Sequence, residues 1–528
     1  MKIKLPKSLL KKLKMKNVSK TTLVFNVLAI LIVVNFLASF FPVRIDLTEN
    51  KAFTLSGVTK KTVKSLDDLT TIKVFLSENL PARLLPIKQK IKDTLGEYEK
   101  IAGGKLRITY TDPKNNQELV SQAENLGIPQ LRFSDVQNDK YSVSTGFLGM
   151  AILFGDKKEA IETVTESTNL EHDITSAIKK LSEKNAPKIG ITSGHGEADQ
   201  NKVSLLQPLI EKDLSTSEVA ISDKDDQSFI DESISTLLMV NPTQKFSNRA
   251  LLTIDQFLMK GGSLVLLLDP INVSGNLQPN NNSTNIGDLI QNYGLKVNND
   301  IVLSADNEVA NFSTGYTAFV TPYPFWVRIL PSGFNQSYSA TSNIDTAVFP
   351  WVSSITTDKN KAGAATITEL IKTTPRSFVQ SGNINLDPSR EQNPKKEDLK
   401  EFTVAAMVSG KLESALRSSE ELKKTLRQGE KSLEQSSKDA RIIVFSDSDF
   451  ISDYFIRRYN GNAALLLNSV ESVSSDTSLS EIRNKGSNFK PLRELSDSLK
   501  ALTKWSNIIG LPILITIIGL IKFLLRSR

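Results

Sequence analysis

The segment Ser193–Glu197 has the residue types of an acid–base site. It reads Ser-Gly-His-Gly-Glu and follows a short apolar run, Lys188–Thr192, that is typical of a strand. An imidazole and a carboxylate this close can transfer protons, and Ser193 is a conceivable nucleophile, although the G-x-S-x-G pattern is absent. The alternative is a turn in which His195 caps the sheet. We predict binding rather than catalysis by Ser193, Gly194, His195, Gly196 and Glu197.

Three aspartates follow other apolar runs that are typical of buried strands. Asp269 follows Leu264–Leu268, and Asp447 and Asp449 follow Arg441–Phe445. Because ligands of open parallel sheets bind beyond the carboxyl ends of the strands, we expect these carboxylates to lie in the same cleft as the histidine. They could hold Mg²⁺ or Ca²⁺, but Asp-Pro and Ser-Asp are also ordinary turn sequences. We predict no metal and no cofactor.

The stretch Thr236–Pro270 predicts the unit that positions these residues. An apolar run, Leu237–Val240, is followed by an amphipathic segment, Asn248–Met259, that stops at Gly261-Gly262. A second apolar run then ends at the aspartate-proline pair. Strand, helix, glycine stop and strand is the composition of a parallel βαβ unit.

The region before this unit predicts a separate domain with the element order βαβαββ, which is that of a thioredoxin-like fold. Ser56 can cap a helix over Gly57–Leu66. Two later apolar runs, Tyr141–Val143 and Gly149–Phe154, predict a hairpin-like pair, and Ile161–Leu181 predicts a helix that leads into the second domain. The chain contains no cysteine, so the Cys-x-x-Cys redox chemistry of that fold is excluded.

Aromatic residues are concentrated in one stretch of the chain. Ten of the 36 aromatic residues lie between positions 312 and 351. They could form a stacking platform for sugar rings or an interface hot spot, or they could pack the core of a β-rich subdomain. The candidates for an exposed aromatic contact surface are Tyr323, Phe325 and Trp326.

The net charge of +7 comes entirely from the two ends of the chain. Residues 1–20 carry eight lysines and no acid, whereas residues 44–505 carry 54 basic and 58 acidic residues. A nucleic-acid-binding domain needs a basic face on its folded part, so this class of function loses its main support, and we predict no nucleic-acid partner. The absence of cysteine also excludes disulfides and thiolate metal sites, and two histidines cannot build a histidine-rich metal site.

Two apolar segments predict membrane spans. Thr21–Phe40 is uncharged over about 20 residues, which is long enough to cross a bilayer, and the preceding lysines favour a cytoplasmic N-terminus. A cleaved signal peptide is the alternative for this segment. Trp505–Leu525 is the second predicted span, with Trp505 at one interface and Lys522, Arg526 and Arg528 at the other.

Several segments, taken in order, resemble the gliding-motility ABC-transporter auxiliary family (GldG-like). They include RIDLTENKAFTLS at 44–56, ITSGHGE at 191–197, the sequence of residues 241–270, and IIVFSDSDF at 442–450. The resemblance implies a membrane-anchored extracytoplasmic partner of an ABC permease and a separate ABC ATPase. It also implies a central domain similar to class I glutamine amidotransferases, whose nucleophilic cysteine is missing here.

We therefore predict an α/β protein of the inner membrane, with both termini cytoplasmic and the bulk extracytoplasmic. It would be a non-catalytic, substrate-engaging ABC transport subunit, with a cell-envelope component as a further candidate ligand. The alternatives are an envelope carbohydrate-binding protein or hydrolase, and a structural scaffold. The predicted organisation is a basic tail (1–20), a span (21–42), a thioredoxin-like domain (43–182), an amidotransferase-like (flavodoxin-like) parallel-sheet domain (183–485) with a β-rich aromatic insertion (305–380) and a charged helical insertion (411–438), a membrane-proximal segment (486–504) and a second span (505–525).

Overall fold

The computed structural model describes most of the chain between residues 54 and 510. The described residues are 54–482 and 497–510, together with 29, 33 and 516, except for gaps at 115, 138–139, 166–168, 183–186, 199–200, 224–229, 314–317, 343, 475–478 and 480–481. Within them, no helix has the length and apolar character needed to cross a bilayer. All of the predicted span at 21–42 except residues 29 and 33, and most of the span at 505–525, lie outside the described residues. All elements below belong to one compact unit, Ser56–Arg528.

The N-terminal part of this unit contains a four-stranded sheet covered by helices. Its elements are α1 (Gly57–Lys64), β1 (Thr70–Leu76), α2 (Leu85–Ala102), β2 (Leu106–Thr111), α3 (Gln117–Asn125), β3 (Leu131–Gln137), β4 (Lys140–Gly146), β5 (Leu148–Phe154), β6 (Lys157–Ile161) and α4 (Leu170–Ser182).

The strand order of the N-terminal sheet is β2-β1-β5-β6. Strands β1 and β2 are parallel, and β5 is antiparallel to both β1 and β6. The predicted cap of α1 is confirmed, because the Ser56 side chain accepts the N–H of Thr59.

Two predictions in this part are wrong. The run at 149–154 does not pair with the run at 141–143, because apolar β5 is buried beside β1 whereas polar β4 pairs with β3. The helix predicted over 161–181 begins only at Leu170, since residues 157–161 form the edge strand β6.

The second part is built from a large central sheet and smaller β-structures. Its elements are β7 (Lys188–Ser193), α5 (Leu206–Glu211), β8 (Ser215–Ala220), β9 (Ile234–Val240), α6 (Asn248–Met259), β10 (Ser263–Leu267), β11 (Ile271–Val273), β12 (Pro279–Asn281), α7 (Ile286–Asn292), β13 (Leu295–Val297), β14 (Asp300–Ser304), β15 (Asn307–Ser313), β16 (Ala318–Ile329), β17 (Ala347–Pro350), β18 (Ile355–Thr357), β19 (Thr366–Lys372), β20 (Ser377–Ser381), β21 (Thr403–Gly410), α8 (Glu420–Thr425), β22 (Ala440–Phe445), α9 (Asp453–Arg458), α10 (Asn460–Ser474) and α11 (Asp497–Trp505).

The central sheet has seven strands in the order β19-β21-β22-β10-β9-β7-β8. The predicted βαβ unit is confirmed: β9 and β10 are parallel, with Leu237 opposite Leu264, and α6 spans 248–259 as predicted. The prediction of a purely parallel sheet is corrected. Five strands are parallel, but β21 is antiparallel to β22, and β19 is antiparallel to β21. Strand β19 comes from the stretch predicted as a separate aromatic insertion.

The three middle strands are buried on both faces because their side chains alternate between two cores. From β9, Leu238 contributes to the core on one face, and Leu237 contributes to the core on the other. The first core also contains α10 residues such as Leu466, and the second contains α6 residues such as Leu258. Near-continuous apolar runs are therefore required in these strands.

Helix α4 joins the N-terminal part to the central sheet through buried polar contacts. The Ser176 hydroxyl donates to Asp213, and the His172 Nε2 lies 3.2 Å from the same carboxylate. Further along the helix, the Lys179 Nζ lies 3.7 Å from the Glu471 carboxylate, and both side chains are buried. Buried ions persist only when paired, so these contacts specify how α4 is seated.

The segment 411–438, predicted as a charged helical insertion, is mostly non-helical. It contains one short helix, α8, and one 3₁₀ turn, and it is fastened to α6. Buried Asp255 of α6 accepts the hydroxyls of Tyr293 (2.6 Å) and Ser414 (2.7 Å) and the N–H of Ala415 (2.8 Å). One carboxylate thus holds the start of the segment against the core.

We expect Asp255→Ala to lower the free energy of unfolding by roughly 2–4 kcal/mol, because buried donors would lose their acceptor. Thermal and chemical unfolding followed by circular dichroism would measure this loss. The matched control is Asp439→Ala, which removes an exposed carboxylate. Equal stabilities of the two variants would contradict the role given to Asp255.

Candidate functional site

The loop after β7 is packed against the segment that follows β9. The imidazole of His195 is 1% exposed and stacks on Phe246, with ring centroids 3.8 Å apart and planes 10° apart. The His195 carbonyl accepts the N–H groups of Thr243 (3.0 Å) and Gln244 (2.9 Å). The backbone and the side chain of His195 therefore both hold the loop in place. This agrees with the alternative in which His195 belongs to a turn that caps the sheet.

Asp223 is the partner of the histidine. The His195 Nε2 lies 3.1 Å from Asp223 Oδ1, which also accepts the N–H of Ser247, the capping residue of α6, at 2.8 Å. Partial burial raises the pKa of Asp223, but the hydrogen bonds from Ser247 and His195 outweigh it and hold the pKa below its usual value. The ionised carboxylate thus orients the ring. The other ring nitrogen, Nδ1, is buried and has no hydrogen-bond partner among the described residues.

Ser193 and Glu197 do not form a catalytic pair with the histidine side chain. The Ser193 hydroxyl donates to Glu218 on the neighbouring strand β8 (2.8 Å). Glu197 Oε2 accepts the backbone N–H of His195 (2.7 Å), and its Oε1 is buried without a hydrogen-bond partner in the described part of the chain. A serine nucleophile needs a base within hydrogen-bond reach, and Ser193 is directed towards a different residue.

The two glycines of the loop allow tight packing against protein. Gly194 has a φ of 109° and Gly196 a φ of 67°. A Cβ at Gly196 would lie 2.4 Å from the Thr243 hydroxyl, and a Cβ at Gly194 would lie 3.0 Å from the Ile221 carbonyl. The glycines thus allow other residues of the same chain, rather than a ligand, to approach the loop backbone closely.

Gly196→Ala should destabilise the protein by roughly 2–4 kcal/mol, through backbone strain and a steric clash together. Gly382→Ala is the control, because Gly382 has a similar φ of 75° but open space around the missing Cβ. Thermal unfolding of both variants separates the two effects. If Gly196→Ala loses no more stability than Gly382→Ala, then Thr243 can move aside and the predicted steric clash does not destabilise the protein.

The three predicted aspartates lie together at the carboxyl ends of β10 and β22. These strands are adjacent and parallel, with Leu267 opposite Phe445. Asp269 accepts both the N–H (2.6 Å) and the hydroxyl (2.5 Å) of Ser448. The neighbouring carboxylate, Asp447, accepts the N–H of Asp449 (2.7 Å) through Oδ1. Its Oδ2 is buried and has no hydrogen-bond partner within the described ranges.

Burial gives this cluster of aspartates unusual protonation. Burial raises the pKa of Asp269 to about 6, although the Ser448 hydrogen bonds oppose the rise. It raises the pKa of Asp449 to about 8, with the Asp269 carboxylate adding to the effect and Lys202 opposing it. The pKa of Asp447 is raised well above its usual value by burial and by the two other carboxylates. The cluster therefore retains protons at neutral pH.

The arrangement does not favour a metal ion. No group of three or more His, Asp or Glu residues in the described part is placed to hold one. Both oxygens of Asp269 are occupied by Ser448 instead.

The aspartates and the histidine loop occupy the same edge of the sheet but are separate clusters. Strand β9 lies between β10 and β7, so the two clusters are about two strand spacings, roughly 10 Å, apart. Asn241 fills the gap at the end of β9 with a φ of 43°. Its side chain donates to Asn272 (2.7 Å) and accepts from Asn282 (3.2 Å).

Sequence reasoning missed three residues of this edge. Asn241 had a local signal, since an Asn-Pro pair after an apolar run marks a strand end. Asp223 and Lys202 had none, because Asp223 is one of several acids in a polar segment and Lys202 is an ordinary exposed lysine. Only the fold brings them to the histidine and the aspartates.

The predicted aromatic contact surface is corrected. Tyr323 is 0% exposed, Phe325 is 1% exposed and Trp326 is 8% exposed, and all three belong to one hydrophobic core. The Tyr323 hydroxyl donates to the Leu386 carbonyl at 2.8 Å, and Trp326 packs edge-on against Phe455. Buried rings cannot stack on a sugar, so Tyr323, Phe325 and Trp326 form no carbohydrate platform.

A cavity of about 650 Å³ opens at the opposite, amino edge of the central sheet, away from these clusters. Its floor includes Phe257, Ile234 and Ser263. Acidic and basic side chains are equally represented around it, so its charge selects no class of ligand. The charged lining residues are Asp231, Glu232, Asp439, Lys260, Lys438 and Arg441.

The aspartate cluster predicts a loss of stability as pH rises. An aspartate has a pKa of about 3.9 in the unfolded chain. If folding raises that pKa, ionisation at higher pH stabilises the unfolded state more than the folded state. The free energy of unfolding should therefore fall between about pH 4 and about pH 8, the range set by Asp269 and Asp449. Asp447→Asn should reduce this fall by roughly 1–3 kcal/mol, because it removes one of the crowded carboxyl groups.

Urea unfolding at pH 5 and at pH 8 would measure the difference, with the exposed Asp439→Asn as the control. An unchanged pH dependence in Asp447→Asn would contradict the proposed coupling of the three carboxyl groups.

Fold and site together define a mixed α/β protein with buried polar clusters along the carboxyl edge of its sheet. The chain belongs to the family described as "ABC-type uncharacterized transport system", whose model matches residues 186–469, more than half of the chain. This membership gives the chain a transport-associated, auxiliary role. A second model, described only as a domain of unknown function, matches residues 49–153.

The chain is also similar to individual proteins. An uncharacterized protein of Borreliella burgdorferi is 24% identical over 502 residues, covering 92% of this chain and 94% of that protein. Among solved structures, the mmIFT52 N-terminal domain matches with a TM-score of 0.34 and 13% identity, covering 55% of this chain and 98% of that domain.

Proposed function

We propose that this chain is a membrane-anchored, non-catalytic subunit of an ABC transport system, working outside the membrane with a separate permease and ATPase. The observation that carries the proposal is the extent of the family match. It runs from before β7 into α10 and so includes every strand of the central sheet. The part of the chain that matches the transport family is thus the domain that contains both polar clusters.

The topology supports the finer fold assignments. The order β2-β1-β5-β6, with β1 and β2 parallel and β5 and β6 antiparallel, is consistent with a thioredoxin-like domain. Five parallel strands with helices on both faces are consistent with an amidotransferase-like domain. We infer that both are binding modules, because the chain has no cysteine for the chemistry of either fold.

The carboxyl edge of the sheet is the surface that we assign to substrate. Four buried polar atoms there have no hydrogen-bond partner among the described residues: Thr192 Oγ1, His195 Nδ1, Glu197 Oε1 and Asp447 Oδ2. Small movements of their loops would make them available to a ligand. Ser193, bonded to Glu218, supports binding rather than hydrolysis. Association with gliding motility, an inner-membrane location and cytoplasmic termini remain predictions from the sequence.

Purification of the tagged full chain in mild detergent tests the proposal. We expect an ABC permease and an ABC ATPase to be recovered with it in fixed proportion. Recovery of neither protein, under conditions where the chain stays folded, would refute the assignment.

A structural scaffold is the second candidate function. It is favoured by the hydrogen bonds that the polar groups make with one another, such as Asp269 with Ser448 and His195 with Asp223. The variants His195→Ala and Asp447→Asn separate the two candidates. A substrate-engaging subunit should give an intact complex with changed ATPase activity, whereas a scaffold should leave both composition and activity unchanged.

A further inference from the structure

Helix α11 and the π-helical turn that follows it, Ser506–Gly510, carry a stripe of exposed apolar side chains. Leu499 is 46% exposed, Leu502 66%, Trp505 56% and Ile508 54%. Leu499, Leu502 and Trp505 are three positions apart, so they lie within about 120° of the helix surface, and Ile508 follows them in the π turn. Large apolar side chains in such a row indicate a surface that is covered by something else.

The stripe differs from the other exposed apolar residues of the described part. Four of the twelve large exposed hydrophobic residues in that part fall within these ten positions, and the others are scattered over separate elements. Single exposed apolar residues are normal on soluble proteins, whereas a continuous row is not.

The hydroxyl groups beside the stripe are turned onto the helix itself. The Thr503 hydroxyl donates to the Leu499 carbonyl (2.8 Å), and the Ser506 hydroxyl donates to the Thr503 carbonyl (3.0 Å). These side chains therefore need no water to satisfy their donors. The same bonds occur on other helices of the chain, for example from Thr425 to the Glu421 carbonyl, and they are compatible with a medium that contains little water.

The other side of α11 has the opposite character. By helical spacing, the positions of Lys500 and Lys504 lie one turn apart on the face away from the stripe. A helix with leucine and tryptophan on one face and lysine on the other is typical of one that lies in a membrane interface. Tryptophan in particular favours the level of the lipid headgroups.

The amino-acid sequence after α11 indicates that lipid covers the stripe. Residues 511–521 contain no charged side chain, and the first charge after them is Lys522. The stripe runs directly into this apolar sequence. The π turn and the following Pro512 mark a place where a helix can change direction. A helix lying on the bilayer can thus be continuous with a segment that enters it.

We propose that α11 is an interfacial helix that inserts Leu499, Leu502 and Trp505 into the phospholipid headgroup region, with Lys504 directed to lipid phosphates. This inference rests on the proposed membrane anchoring, and it assigns lipid, rather than a helix of the permease, as the partner of the stripe. The helix would fix the height of the central domain above the membrane.

Tryptophan fluorescence tests the proposal on the full chain reconstituted in phosphatidylcholine–phosphatidylglycerol vesicles. The chain has three tryptophans, and Trp326 is in the core while Trp351 is half-buried. Doxyl groups placed shallow in the acyl chain should quench part of the emission, and deeper doxyl groups should quench less. The quenched part should be lost in Trp505→Phe, which leaves the core unchanged.

Accessibility of introduced thiols provides a second readout, because the chain has no cysteine of its own. In vesicles, Leu502→Cys should react with a water-soluble maleimide about ten-fold more slowly than Lys504→Cys, because only the former lies at the lipid-facing side. Denaturing detergent should remove the difference.

Each unfavourable outcome has a separate meaning. Equal labelling of the two cysteines, or protection of Leu502→Cys without doxyl quenching of Trp505, would overturn the proposal, the latter because a protein would then cover the stripe. Release of the chain from native membranes by alkaline carbonate would instead refute the anchoring. A chain that resists carbonate but shows no quenching would refute only the interfacial helix.

Discussion

Burial of both faces of β9, β10 and β22 is the constraint on which the rest of the structure depends. Side chains of these strands alternate between two hydrophobic cores, so polar side chains are confined to their first three positions, as with Thr236 and Ser263. The backbone groups are paired within the sheet, as burial requires. Towards the carboxyl edge, polar side chains can then begin only where the strands end. Asn241, Asp269 and Asp447 all stand within two residues of a strand end.

At that edge, the polar groups are largely used to hold one another. Asp223 orients His195, and Ser448 occupies both oxygens of Asp269. A carboxylate or imidazole that is held this way loses little freedom when it binds a ligand. Pre-orientation of this kind lowers the entropic cost of binding at this edge of the sheet.

Buried charge also organises the structure away from the strand ends. Asp255 seats a segment whose composition alone suggests a solvated helix, and the contact of Lys179 with Glu471 seats α4 on the central part. Removing an ion from water carries a large desolvation penalty. Each buried ion therefore needs a full set of ionic and hydrogen-bond partners to offset that penalty. A few buried carboxylates thereby fix the positions of segments that hydrophobic packing alone would not fix.

The sequence by itself determined the middle of the sheet, the cap of α1 and the extent of α6, because apolar runs, a serine cap and a glycine stop act over a few neighbouring residues. It also placed His195 and the three aspartates at strand ends, since that prediction needs only the order of apolar and polar residues. The tertiary structure alone decided that β5 pairs with β1, that β19 and β21 join the sheet antiparallel, and that Tyr323 is buried. It alone brought Asp223 to His195 and Lys202 towards the aspartates. These contacts join residues that are distant in sequence, and their strength comes from desolvation and geometry that exist only once the chain has folded.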